Sequence, residues 1–206
     1  MPRTNKKPRT KAEVTEATTR ALLAVARELF ARKGYAGTST DEVVRRARVT
    51  RGALYYHYRD KKDLFRAVYE DIEQQVAEEV ADRAFKKTDA WEQLQEGCRA
   101  FLDACMEPAY QKIALQDAPS VLGWPTWREI DAKYGLGLLQ GGLLLAMEAG
   151  AIEQQPAEPL AHVILASLCE AGLVIAHADN ARAARKEMEP TLMRLLEGLR
   201  PPTGRR

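Results

Sequence analysis

Residues 39–61, STDEVVRRARVTRGALYYHYRDK, constrain the fold more than any other stretch of this chain. Ser39 and Glu42 stand at the S-x-x-E spacing of a capping box and open a helix of about 41–47. Thr50 can cap a second helix that runs to about Tyr58. Helices this short, joined by so short a turn, must pack with their neighbours as a compact unit. The neighbours are legible too. Leu22, Val25, Ala26, Leu29 and Phe30 form one apolar stripe on a helix of about 14–33. Gly34 ends it, and Tyr35 can fold back on its last turn. Asp60 caps a fourth helix, whose Leu64, Val68, Ile72 and Val76 keep i, i+4 spacing.

Helical periodicity continues to the end, and no alternating strand pattern is present. Thr88 begins a helix striped by Trp91, Leu94, Cys98, Phe101, Leu102 and Cys105, which Pro108 interrupts. Residues 117–126, DAPSVLGWPT, read as a breaker-rich connection. Helices of about 126–149, 157–178 and 182–199 follow, giving an all-α fold of about nine helices. The basic segment 1–13 and the tail 201–206 read as disordered. Apolar runs are broken by Gly, Glu or Gln before the roughly 18 residues of a membrane span, so no membrane partner is expected. Cys98, Cys105 and Cys169 form no C-x-x-C pair, and an odd count argues for core thiols in a reducing cytoplasm.

Charge divides the chain. Residues 1–62 hold 16 Lys and Arg against 6 Asp and Glu, whereas residues 63–206 hold 15 against 23. A basic head on an acidic body suits a polyanionic partner such as double-stranded DNA, although a solvated basic arm would account for part of the excess. The chemistry of 39–61 agrees. Thr50, Arg51, Gly52 and Ala53 begin the second short helix with small or polar residues, so its backbone can approach base edges. Arg51 can donate a bidentate pair to guanine, worth about 1–3 kcal/mol of discrimination. Tyr55, Tyr56 and His57 on the exposed edge can bond phosphates, as can Lys61 and Thr40 at two helix starts. The competing reading makes Tyr58, and in part Tyr55, plugs of the small core.

The pieces ALLAVARELFARKGY, TSTDEVVRRA and VTRGALYYHYRDKKDLF make residues 20–69 resemble the DNA-binding domain of the TetR (tetracycline-repressor) family of bacterial regulators. That resemblance implies an all-helical homodimer. Residues 14–62 would be the three-helix, helix-turn-helix DNA-binding domain, and 63–200 a larger effector-binding and dimerisation domain. It places the base-facing positions on Thr50, Arg51, Gly52 and Tyr55, and the phosphate positions on Thr40, Tyr56, His57 and Lys61. One departure stands in the turn, where Arg48 replaces the family's usual glycine. A non-glycine residue in left-handed geometry costs of order 1 kcal/mol.

In the body, Phe101, Cys105, Tyr110, Trp124, Trp127 and Tyr134 gather around the breaker-rich connection and are candidates for a small-molecule effector pocket, with ordinary core packing as the alternative. The segment YGLGLLQGGLLLAMEAG carries Gly135, Gly137, Gly141 and Gly142 inside a predicted helix. Close helix packing or a bend beside a cavity would explain them. The resemblance makes the last two helices the dimer face, with Ile164, Leu168, Gly172, Ile175, Leu192, Leu195 and Leu196 as its apolar residues. His162 and His177 are too far apart for an i, i+4 metal pair and read as structural or interfacial, and neither a metal nor a cofactor is expected. No nucleophile–base pair, phosphate loop or carboxylate dyad points to an enzyme. The expected function is a ligand-responsive repressor on a near-palindromic operator. A regulator governed by a protein partner, or by nothing, is the nearer alternative, and a helical carrier or enzyme the remoter one.

Overall fold

The computed structural model describes residues 10–202 and contains nine helices and no strand among them. They are α1 (Lys11–Lys33), α2 (Thr40–Ala47), α3 (Arg51–His57), α4 (Lys61–Ala84), α5 (Ala90–Ala104), α6 (108–122), α7 (124–148), α8 (Ala157–His177) and α9 (Ala181–Glu197). Two compact units divide at Val68/Tyr69, within α4.

In the first unit, α1 begins earlier than expected. Thr10 Oγ1 accepts the Glu13 N–H at 3.2 Å, and the Glu13 carboxylate accepts the Thr10 N–H at 2.7 Å. This complete capping box makes residues 11–13 helical rather than part of a disordered arm. Residues 1–9 of that arm, and 203–206 of the tail, lie outside the described residues. At α2 the expected box is only half formed. Ser39 Oγ accepts the Glu42 N–H at 3.2 Å, but the Glu42 carboxylate turns to Lys33 Nζ at 2.7 and 2.8 Å. A charged ammonium is a stronger donor than a neutral amide. Gly34 closes α1 at φ 70°, and Tyr35 stacks on Phe30 at 6.0 Å, with the Phe65 ring edge-on to both. Leu22, Leu29, Val43, Leu54, Tyr58 and Leu64 complete this core.

The second unit corrects two expectations. Residues 117–126 are not a loop: Pro108 stands in the first helical turn of α6, and Pro119 follows a π-helical segment, Gln111–Asp117, where the regular ladder is already shifted. Among those residues only Gly123, at φ 82°, separates two helices. A second π-helical segment, Ala132–Leu136, lies within α7. The apolar residues expected to face a partner copy turn inward instead. Ile164, Leu168, Gly172, Ile175, Leu192 and Leu196 are buried within this one chain, most of them against α5 and α7 residues such as Leu94, Leu102 and Leu143. The apolar stripes of α8 and α9 fill the subunit's own core, and of the seven only Leu195 is exposed, at 61%. By length and composition, α8 is apolar enough to cross a membrane, although its glutamates break the uninterrupted run. Here its Ala161–Ile175 stripe is core.

Salt bridges tie three helices together. Arg83 of α4 pairs with Glu96 and Asp103 of α5 at 2.7 and 2.8 Å, and Arg185 of α9 reaches the same Asp103 at 2.8 Å.

Candidate nucleic-acid interface and effector cavity

The turn between α2 and α3 sets the reading helix. Arg48 adopts φ 56°, ψ 40°, the left-handed geometry otherwise favoured by glycine. It is the only non-glycine residue with positive φ among those described. Its N–H reaches Arg45 O at 3.3 Å and the Val49 N–H reaches Val44 O at 3.1 Å, closing α2. Thr50 then caps α3, its Oγ1 accepting the Ala53 N–H at 3.1 Å. The hydroxyl proton remains free to donate outward.

Leu54 is buried beside Val43 and Val44, which turns the opposite side of α3 to solvent. Thr50, Arg51 and Gly52 are exposed there, as are Tyr55 and, at 80%, Tyr56. A Cβ on Gly52 would meet only Thr50 Oγ1, at 3.8 Å, so nothing within the unit crowds this edge. Arg51 Nε pairs with Asp41 Oδ1 at 3.0 Å, a partner that sequence reading did not foresee. Both side chains are about two-thirds exposed, so the pair is worth little and orients Arg51 rather than locking it.

Two expected phosphate groups are placed differently. His57 is half-buried, with Nδ1 3.4 Å from Thr19 Oγ1 and its ring edge-on to Tyr56. Lys61 turns inward: Nζ donates to Tyr35 O and Thr38 O, both at 3.0 Å, and lies 4.1 Å from the centre of the Tyr35 ring. Two carbonyls of the turn after α1 and the face of the Tyr35 ring draw the ammonium in, so Lys61 staples the 35–38 turn. Thr40, in the first turn of α2, is half-buried.

The second unit holds a cavity of about 240 Å³ between α4, α5, α7 and α8. Of the expected pocket residues only Phe101 lines it. Cys105 and Tyr110 are core residues, and Trp124 is 66% exposed against Trp127. Tyr134 lies under Lys133 Nζ. Because 108–122 is helical, these aromatics project into the core or outward instead of rimming a loop.

The glycines of α7 line the cavity instead. A Cβ at Gly137 or Gly141 would meet nothing within 4 Å, so close helix packing does not account for either. At Gly172 of α8 the opposite holds, for a Cβ would lie 2.8 Å from Cys105 Sγ.

Sequence reading missed Glu73 and Asp131, both buried and both on the cavity wall. A signal existed: Tyr69, Glu73, Ala77 and Val80 form a second stripe on α4, interrupted by one carboxylate. Burial, aided by the charge of Asp131, pushes the Glu73 carboxyl up to about 8, against hydrogen bonds from Tyr110 and Tyr69. Burial also raises Asp131, opposed by Arg128, whose Nη1 lies 2.7 Å away.

The arrangement defines a helix-turn-helix DNA-binding protein with a separate helical unit built around an apolar cavity. Residues 22–68 match the family described as bacterial regulatory proteins, tetR family, and residues 91–199 match the tetracyclin repressor-like C-terminal domain. The chain is 30% identical over 122 residues to the Transposon Tn10 TetC protein of Escherichia coli, covering 59% of this chain and 61% of that protein. It is 43% identical over 70 residues to the HTH-type transcriptional regulator AcrR of Shigella flexneri, covering 34% of this chain and 32% of AcrR. The matched parts thus span less than two thirds of these relatives. A crystal structure of a TetR-family transcriptional regulator from Pectobacterium atrosepticum superposes with a TM-score of 0.81 at 36% identity, covering 93% of this chain and 97% of that one. The chain belongs to the TetR family, whose members are transcriptional regulators rather than enzymes.

Proposed function

We propose that this regulator is a repressor that binds a near-palindromic operator as a homodimer and is released by a small, largely apolar effector. The unit ending at Val68 reads DNA, and the unit from Tyr69 onward binds effector and dimerises. The observation that carries the reading is the presentation of α3: its N-terminus is exposed and capped, with Gly52 and Ala53 following Arg51, and Tyr56 on the same helix is 80% exposed. Thr50, Arg51, Gly52 and Tyr55 read bases, while Thr40, Tyr56 and His57 hold phosphates. Lys61 acts indirectly by holding the 35–38 turn.

The apolar residues left for a partner copy on α8 and α9 are Val163, Val174 and Leu195, exposed at 65%, 41% and 61%. They replace the buried stripe as the proposed dimer face. The effector occupies the α7 glycine cavity. Helix α4 supplies Glu73, Val76 and Val80 to that cavity and begins at Lys61 in the DNA-reading unit, so one helix serves both functions. An effector acts only through its different affinity for two states. Release by about 100-fold requires roughly 2.7 kcal/mol of coupling.

Fluorescence anisotropy on a selected operator tests this, with ligands first chosen by thermal shift. Ligands that stabilise the protein are expected to weaken operator binding. Stabilising ligands that leave operator affinity unchanged would remove the effector from the account.

A further inference from the structure

The wall of the α7 glycine cavity carries an unusual balance of groups. It is apolar throughout except for Glu73, Gln93 and Asp131, and no Lys, Arg or His lines it. The two acids are not equivalent. Asp131 already has a cation, since its Oδ2 lies 2.7 Å from Arg128 Nη1 and its Oδ1 accepts from Cys169 Sγ at 3.8 Å. Glu73 has only neutral donors, the hydroxyls of Tyr69 and Tyr110. A carboxyl that is 6% exposed, beside an empty apolar volume and without a cation, is expensive to ionise. A buried cation would reverse that cost.

We propose that the effector is a small lipophilic cation, an aryl- or alkylammonium, whose apolar body fills the cavity and whose charge lies against Glu73. This rests on the effector-cavity reading above and narrows it to one chemical class. Anionic ligands are disfavoured, because a carboxylate there would meet two acids and no base. At about 240 Å³ the space is below the usual 300–1,000 Å³ of drug-sized pockets, so one ring with a short ammonium arm suits it.

Binding is then an exchange. The ammonium enters, and the proton held by Glu73 leaves to buffer. The groups that face Glu73 are Tyr69 on its own helix, Tyr110 of α6, Asp131 of α7, Cys105 after α5 and Cys169 of α8. Arg128 acts on Asp131. Of the five, only the Asp131 carboxylate is a base, and it is already engaged by Arg128 at 2.7 Å, so the proton passes to solvent. Since burial holds the Glu73 carboxyl at about 8, most of it is protonated at neutral pH and affinity for the cation rises with pH.

The test is calorimetric titration of the full chain with benzyltrimethylammonium and its uncharged isostere, neopentylbenzene, at pH 6, 7 and 8, in buffers of different ionisation enthalpy. The cation is expected to bind at least about 10-fold more tightly than the isostere at pH 8, with release of about one proton at pH 7. Glu73→Gln is expected to abolish the proton release and bring the two probes to within about threefold. Equal or tighter binding of the isostere, with no proton released, overturns cation selectivity and leaves an apolar effector site standing. If neither probe binds or shifts the unfolding temperature, the cation proposal and the cavity's effector role fall together.

Discussion

Alanine substitutions at two glycines of the second unit should change stability with opposite signs. At Gly141, in α7, a Cβ meets no atom within 4 Å, so the substitution adds helix propensity without a clash. Glycine costs about 1 kcal/mol relative to alanine in a helix interior, which gives an expected gain of roughly 0.5–1 kcal/mol. For a chain of this size that is about 1–4 °C in Tm. At Gly172, in α8, the same methyl lies 2.8 Å from Cys105 Sγ and 3.6 Å from Leu115 Cδ1. Cys105 is fully buried, so its thiol must shift within the packed core to admit the methyl. Overpacking costs about 1–3 kcal/mol, and after the propensity gain a net loss of roughly 0.5–2 kcal/mol remains. Urea unfolding with unchanged m-values measures both. Destabilisation by Gly141→Ala of more than about 1 kcal/mol would refute the reading that this α7 glycine faces open space, and stabilisation by Gly172→Ala would refute close packing as the reason for glycine in α8.

Four further outcomes follow from the same geometry. Tyr56→Phe should weaken binding to all duplexes alike and shallow the salt dependence, as read by anisotropy across a salt series. Arg51→Ala should relax preference at one base position while leaving the salt slope nearly unchanged, costing about 1–3 kcal/mol on the preferred site. Lys61→Ala should lower stability by about 1.5–3 kcal/mol through the loss of two charge-assisted bonds to Tyr35 and Thr38, measured by denaturant unfolding. The protonated Glu73 makes stability depend on pH. Its folded-state value of about 8 exceeds the ordinary 4.5, so its contribution is complete below about 4.5 and is lost as pH rises through 8. Melting temperatures should therefore fall between pH 5 and 8, by an amount on the order of a few kcal/mol in stability, and Glu73→Gln should flatten the fall.

The reading unit was legible because its signals are local. Thr50 as a cap, Gly34 as a stop, Leu54 turned inward and Arg48 in the turn each depend on residues a few positions away. The inward turn of Lys61 is not legible, for the opposite reason. Its partners lie 26 and 23 residues earlier, and no spacing rule connects them. The body was legible only as helices. An apolar stripe does not say whether it faces its own chain or a partner, and Ile164, Leu168, Leu192 and Leu196 proved to be core. Proline and glycine in 117–126 resembled a loop because a π-helical segment, which can absorb a shifted ladder, leaves no periodic signature. The α7 glycines pointed to the cavity, whereas the aromatics, with the exception of Phe101, did not.

Selection of binding sites from random duplexes by the full chain tests the central claim most directly. A dimer presenting two α3 helices predicts an inverted repeat whose half-site centres lie about 34–36 Å apart, one turn of DNA. With Arg51→Ala, the same selection should lose preference at one symmetric pair of positions. Recovery of no inverted repeat, or of an unchanged site with Arg51→Ala, would contradict the account.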